Sequence, residues 1–402
     1  MKIDLKKLHF SRRSFVKGFL ALAGLSSIGA TLTSCSPKST KRIKVGLMLP
    51  FTGTYAKLGK AIENGFKMSL TQKNGGLNPD DIDFYQVDDE SNPAKAVDNA
   101  NKLIVKDKVD ILIGTVHSGV VMGMLKIARN SDTLMLIPNA GAGAATGSQC
   151  AKNIFRTSFT NWQPTYPLGK ILMEKGHKKA IFITWKYAAG NEARQGFEEG
   201  YSEYGGELVE TLYVPFPNVE FQALLTKISS VNPDAVVCFF AGGGAVKFVK
   251  DYAAAGLKDK IPLYGSGFLT EGVLPAQGAA AEGLLTTLHY ADSLQNQTNK
   301  IFRINYYEKY QKPADVYAVQ GYDTGLALSQ SLKKVNGDFK DRNGIINAME
   351  GMSIDSPRGQ WVMSKAHNPI QNIYLRQVVN NDNKVLKTAW NALEDPAKGC
   401  QL

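Results

Sequence analysis

Few side chains capable of covalent chemistry stand at spacings that would let them act together. The five histidines and the three cysteines beyond Cys35 form no ligand set with metal spacing. No Gly-x-Ser-x-Gly nucleophile elbow occurs, and no phosphate loop ending in Gly-Lys-Ser/Thr. Asp88-Asp89-Glu90 gathers carboxylates at the end of an apolar run, where turn and helix-capping acids are ordinary. Gly242-Gly243-Gly244 opens an amphipathic stretch; an anion could rest there, and a tight turn is the simpler reading. What recurs is a set of small polar and aromatic residues just after β-branched runs. Tyr55 follows the first run, His117-Ser118-Gly119 the third, and Asn139-Ala140-Gly141 the fourth. Backbone N–H groups in such turns, with the Ser118 hydroxyl, suit a carboxylate. Aromatic neighbours supply apolar walls. The expectation is reversible binding of a small molecule, with no catalytic residue, no cofactor and no metal.

Those turns need elements to hold them. From Lys41 onward, short β-branched runs alternate with amphipathic stretches. Strands are expected at Ile43–Leu49, Asp83–Asp88, Val109–Gly114 and Leu134–Pro138, with helices at Leu58–Gln72, Pro93–Lys106 and Gly119–Arg129 between them. A second series follows Arg156-Thr157-Ser158, with strands at Ala180–Thr184, Glu207–Tyr213, Ala235–Phe240 and Leu263–Gly265. Long helices are expected at Gln297–Tyr310 and Tyr317–Val335, and strands and turns over the last forty residues. Strands alternating with helices argue for α/β architecture with doubly wound parallel sheets. In such sheets a ligand sits beyond the carboxyl ends of the strands.

The N-terminus reads as an address. Basic residues come first, then an apolar run from Gly18 to Thr33, then the small-residue junction Ser34-Cys35. Ser11-Arg12-Arg13-Ser14-Phe15 resembles the twin-arginine export motif, although paired arginines also occur in ordinary secretory signals. Leu32-Thr33-Ser34-Cys35 resembles a lipobox, which implies lipidation at Cys35 and attachment to a membrane surface. Six of the basic residues lie within residues 1–34, and the rest of the chain holds 41 basic and 35 acidic residues. Those are scattered among acids rather than interleaved with aromatics, which points away from a nucleic-acid partner. In an oxidising compartment Cys150 and Cys400 could pair and pin the tail to the body, while Cys238 reads as a buried free thiol.

In order and spacing, several segments together resemble the branched-chain amino acid-type, or leucine/isoleucine/valine-binding, substrate-binding proteins of ABC transporters. They are Ile43-Lys44-Val45-Gly46-Leu47 with Pro50-Phe51-Thr52-Gly53 and Tyr55, then Asp88 to Val97, Gly114 to Val120, Phe155 to Ser158, Ala281 to Leu284, and Tyr322-Asp323. The resemblance implies the type I periplasmic binding protein fold, two lobes joined by a three-segment hinge. Residues 1–35 would be the export signal and 36–42 a tether. Lobe one would comprise 41–159 and 287–364, and lobe two 160–286 and 365–402. It also implies a periplasmic or cell-surface location and a partner permease in the cytoplasmic membrane.

Matched position by position, the resemblance implies that Tyr55, Ser118 and Tyr317 contact ligand and that Asn139, Ala140 and Gly141 complete the grip on its carboxylate. His117, Tyr187, Phe240 and Phe268 join the candidate list, with Trp162 as a further aromatic and Ala189 competing with Tyr187 for one position. Where amino acid binders present an acid to the ligand's ammonium, this chain reads Gly267-Phe268. An ammonium buried without a counter-charge is costly. An aromatic or other small organic acid therefore suits the site as well as a branched-chain amino acid. Two other classes stay open at this point: a ligand sensor for signalling, and an exported redox enzyme.

Overall fold

Ile43–Leu49 (β1) has six of its seven residues buried. A strand apolar on both faces belongs inside a covered sheet, and β1 takes such a place. Ile82–Asp88 (β2) flanks it on one side and Ile111–Gly114 (β3) on the other, followed by Leu134–Ile137 (β4) and Ile154–Arg156 (β5). All pairings in this sheet are parallel. The first crossovers carry Ala56–Leu70 (α1), Ala96–Asn101 (α2) and Ser118–Ala128 (α3). The computed structural model describes residues 42–72 and 77–402. The stretch read from sequence as an export signal, with Cys35, lies outside the described residues.

A second sheet follows Tyr166–Glu174 (α4). Lys179–Lys186 (β6), Glu207–Pro215 (β7), Ala235–Phe239 (β8), Leu263–Ser266 (β9) and Leu285–Leu288 (β10) run parallel in the order β7-β6-β8-β9-β10. Between them lie Ala188–Glu203 (α5), Gln222–Val231 (α6), Gly242–Ala254 (α7) and the short Leu274–Gln277 (α8). The chain then returns through Gln297–Tyr310 (α9), Val316–Lys334 (α10) and Arg342–Met349 (α11). Apolar residues of α10 and α11 share one core with β1–β5, as do Ile354 of Ser353–Ile354 (β11) and Trp361 of Trp361–Met363 (β12). Pro369–Val379 (β13) pairs antiparallel with β12 at its start and with β10 further on, and Asp382–Leu393 (β14) folds back on it. The chain thus forms two lobes and passes between them after β5, after β10 and along β13.

Buried arginines hold these passages. Arg358 donates from Nε to Asp323 on α10 at 2.7 Å, and to the carbonyls of Thr157 and Ser158 at 2.7 and 2.8 Å. It also reaches Gln371 on β13, so one guanidinium ties two of the passages to α10. Charged groups this deep persist only when paired and hydrogen-bonded.

The glycines of α1 and α10 set a second constraint. A Cβ at Gly65 would come within 1.9 Å of the Ala318 carbonyl oxygen, and one at Gly321 within 2.0 Å of the Ile62 oxygen. Only glycine permits that approach. Ile62 meets Gly321 and Phe66 meets Gly325, so the helices run side by side in one direction and begin at the same end. That end carries Tyr55 and Tyr317.

Element boundaries differ from expectation in two instructive places. The stretch Pro93–Lys106 is not one regular helix: past α2 it widens, and the Asp107 amide reaches the Lys102 carbonyl five residues back. β5 is three residues long, too short to show any periodicity. Cys150 and Cys400 form a disulfide, and Cys238 is a buried free thiol within β8. Among the described residues no helix is long and apolar enough to cross a membrane.

Candidate ligand-binding chamber

The carboxyl ends of β1, β3 and β4 face those of β6, β8 and β9 across a narrow, tightly packed chamber with about 20 Å³ of free space. Larger concavities lie elsewhere, among them two of about 700 and 740 Å³ that open outward and carry many charged side chains.

Lobe one supplies a wall of hydroxyl and amide groups. Ser118 opens α3, and His117 caps that helix by accepting from the Gly119 amide at 3.0 Å. The positive end of α3 therefore points toward the chamber. Ser118 Oγ accepts from Asn161 Nδ2 at 3.2 Å, which frees its own O–H to donate. Asn139 donates to Gln320 at 2.6 Å, and Gly141 accepts from the Asn161 amide at 2.8 Å. Behind this wall Arg156, fully buried, donates to the carbonyls of Ala140 and Ala142, to Thr146 and to Asn368. Burial pushes its guanidinium down to about 10, still fully charged at neutral pH.

Lobe two supplies hydrocarbon. Phe239 at the end of β8, Ala241, Ala189 and Phe268 line the chamber, and Phe159 of the first passage packs on Phe268 with ring centroids 4.7 Å apart. Three tyrosines complete the surface. Tyr55 and Tyr187 join their hydroxyls across the lobes at 3.2 Å, and Tyr317 stacks on Phe268. Burial raises the pKa of all three tyrosines, so each stays a neutral phenol. Among the described residues no lysine, arginine, aspartate or glutamate lines the chamber.

The lobes touch around its rim. Glu192 of α5 accepts from the Gly143 amide at 3.0 Å and from Asn161 Nδ2 at 2.7 Å, and burial raises its pKa. Gly242, with φ of 57°, lets α7 approach the Thr54 carbonyl; a Cβ there would lie 2.9 Å from that oxygen. His117 stacks on Tyr187 at 4.8 Å and meets Phe216 at 4.9 Å, and desolvation lowers its pKa to about 4.

Of the sequence candidates, Tyr55, Ser118, Asn139, Gly141, Tyr187, Phe268 and Tyr317 converge on the chamber, and Ala189 lines it beside Tyr187. Four others do not. Phe240 turns into the lobe-two core against Trp185, Phe221 and Phe248, because its neighbour Phe239 takes the chamber face. Ala140 spends its amide on the Thr115 carbonyl and its own carbonyl on Arg156, leaving nothing for a ligand. His117 braces Tyr187 from outside the lining. Trp162 lies on an outer concavity, stacked on Tyr166 and bonded to Glu199. Sequence reading passed over Phe159, Asn161, Glu192 and Phe239. Phe239 is adjacent to a residue that was chosen, and β8 is buried on both faces, so alternation could not separate the two.

A sequence profile of the periplasmic binding protein family matches residues 42–384. The fold is similar to that of an ABC-transporter solute-binding protein from R. palustris solved in complex with benzoate. The two are 47% identical with a TM-score of 0.87, over 90% of this chain and 100% of that one. A solute-binding protein from Rhodopseudomonas palustris BisB5, solved with 3,4-dihydroxy benzoic acid, is 31% identical with a TM-score of 0.83, over 89% and 99% of the two chains. The Leu/Ile/Val-binding protein homolog 6 of Brucella melitensis is 32% identical over 349 residues, covering 85% of this chain and 88% of that protein.

Proposed function

The chain belongs to the periplasmic binding protein family, and from that premise we propose that it captures a small aromatic carboxylate between its lobes for an ABC permease. One observation carries the ligand class: the chamber has aromatic walls and neutral hydrogen-bond donors, and among the described residues no carboxylate in its lining to meet an ammonium. A zwitterionic amino acid would bury its ammonium at a cost of several kcal/mol. A benzoate-like acid has no such group. Its carboxylate would sit at the N-terminus of α3, where Ser118 donates and the helix end favours negative charge. Its ring would lie against Phe159, Phe239 and Phe268. The two similar solute-binding proteins solved with benzoate and 3,4-dihydroxy benzoic acid support the same class. Nothing in this arrangement makes or breaks a covalent bond, so the role is capture and release.

The rest of the reading concerns place. Export through the signal in residues 1–35, by the twin-arginine route, with lipidation at Cys35, would hold the protein at a membrane surface beside its permease. Lobe one would be residues 41–159 and 287–364 and lobe two 160–286 and 365–402, with closure about the passages that Arg358 ties together. Titration calorimetry of the mature protein with benzoate, 4-hydroxybenzoate and leucine tests the ligand class. Micromolar or tighter binding of an aromatic acid, with leucine at least a hundredfold weaker, is the expected result. Leucine binding as tightly as benzoate would overturn it.

A further inference from the structure

Tyr317 differs from the other polar side chains of the chamber. Tyr55 is bonded to Tyr187, Ser118 to Asn161 and Asn139 to Gln320. The Tyr317 hydroxyl has no hydrogen-bond partner among the described residues, although the side chain is only 1% exposed. A buried hydroxyl without a partner is destabilising, and phenylalanine would fill the same space without that cost. His289 Nδ1 and Ser266 Oγ are also unpartnered, but neither residue lines the chamber. The fold thus positions one phenol, its ring 6.0 Å from that of Phe268, with a donor and an acceptor that no described residue uses.

The surroundings decide what that phenol can meet. Asp315 and Glu271 lie close enough to act electrostatically on Tyr317, with Arg376 offsetting them in part. Glu271 is paired with Arg376 and burial raises the Asp315 carboxyl to about 7, so that side offers little net charge to any ionic group, and the anion site at Ser118 belongs to a different element. A neutral group that both donates and accepts is the complement.

We propose that the Tyr317 hydroxyl reads a hydroxyl on the ligand's ring, so that the chamber selects hydroxylated benzoates over benzoate itself. The proposal rests on the aromatic-acid reading of the chamber. It makes Tyr317 a specificity residue, while Ser118 serves every ligand of the class alike.

Calorimetry of the wild type and Tyr317→Phe with benzoate, 3-hydroxybenzoate and 4-hydroxybenzoate separates the possibilities. The wild type should bind one hydroxybenzoate at least about tenfold tighter than benzoate. In the variant that ratio should fall below about threefold, because the hydroxybenzoate loses more affinity than benzoate does. The ligand-free variant should melt at or above the wild-type temperature, since it loses an unsatisfied group. A wild type with no preference, a preference that survives the substitution, or equal weakening of all three ligands would overturn the proposal while leaving the aromatic-acid reading in place. Failure of all three acids to bind the wild type would remove the reading and the proposal together.

Discussion

Lobe one presents the chamber with hydroxyl and amide groups on the loops after β3 and β4, and lobe two presents Phe239, Phe268 and two alanines. The two walls are supported in different ways. Each polar loop is clamped from behind: Arg156 grips the carbonyls on either side of Gly141, and Thr115 bonds to the buried Asp89. The aromatic wall rests on packing alone, Phe239 and Phe268 meeting edge-on at 6.4 Å in continuity with the lobe-two core. A hydrogen bond weakens steeply with small errors in distance and angle, whereas an apolar contact tolerates them. The wall that must be placed accurately is the one with the buried charged clamp.

The strongest way to break this contrast is to remove the clamp. Arg156→Ala leaves two buried carbonyls, Thr146 and Asn368 without their donor, and should lower unfolding free energy by about 3–5 kcal/mol in urea titration. Benzoate affinity should fall with it. Unchanged affinity in the folded variant would show that the polar wall does not depend on Arg156.

The opposite wall can be tested by giving it a charge. Phe268→Glu places an uncompensated carboxylate against the ligand's ring and should weaken benzoate by more than a hundredfold, about 3 kcal/mol, in calorimetry. Improved leucine binding by the same variant would further support the role of Phe268 in excluding an ammonium-bearing ligand. A smaller loss is expected at the polar wall itself. Ser118→Ala removes one charge-directed hydrogen bond, worth about 2 kcal/mol or roughly thirtyfold in affinity, and should leave the melting temperature within a few degrees of wild type.

The smallest effect concerns the rim. His117 is buried under Tyr187 and protonates near pH 4 in the folded protein, against about 6.5 when unfolded. Between those values the unfolded chain binds more protons, so stability is intact above pH 6.5 and declines as pH falls toward 4. From pH 7.5 to 5.5 this residue should contribute a loss of about 1.4 kcal/mol. Burial lowers the pKa of His289 and His367 as well, so the measurement is the difference between wild type and His117→Asn, which keeps the cap on α3. Equal pH slopes for the two proteins would exclude a buried, neutral His117.

Much of this arrangement was legible before any coordinates. Alternation of β-branched runs with amphipathic stretches specifies parallel sheets, and parallel sheets put their ligand at the carboxyl ends of the strands. That reasoning was enough to select Tyr55, Ser118, Asn139 and Gly141, because each stands a fixed short distance past a strand. The absence of an acid at Gly267-Phe268 came instead from the resemblance to amino acid binders.

The tertiary structure decided the rest. Phe239 and Phe240 are equivalent in sequence, and only the packing of β8 between two helical layers assigns one to the chamber and one to the core. Asn161 and Phe159 lie in an aperiodic passage between lobes, so no local pattern marks them. Glycine contacts bring the first turns of α1 and α10 together across more than two hundred residues of chain, and so place Tyr55 and Tyr317 on the same chamber. Local periodicity reports which residues leave the ends of strands. Which side chains then face one another, and which hydroxyl is left without a partner, depends on contacts between segments far apart in the chain.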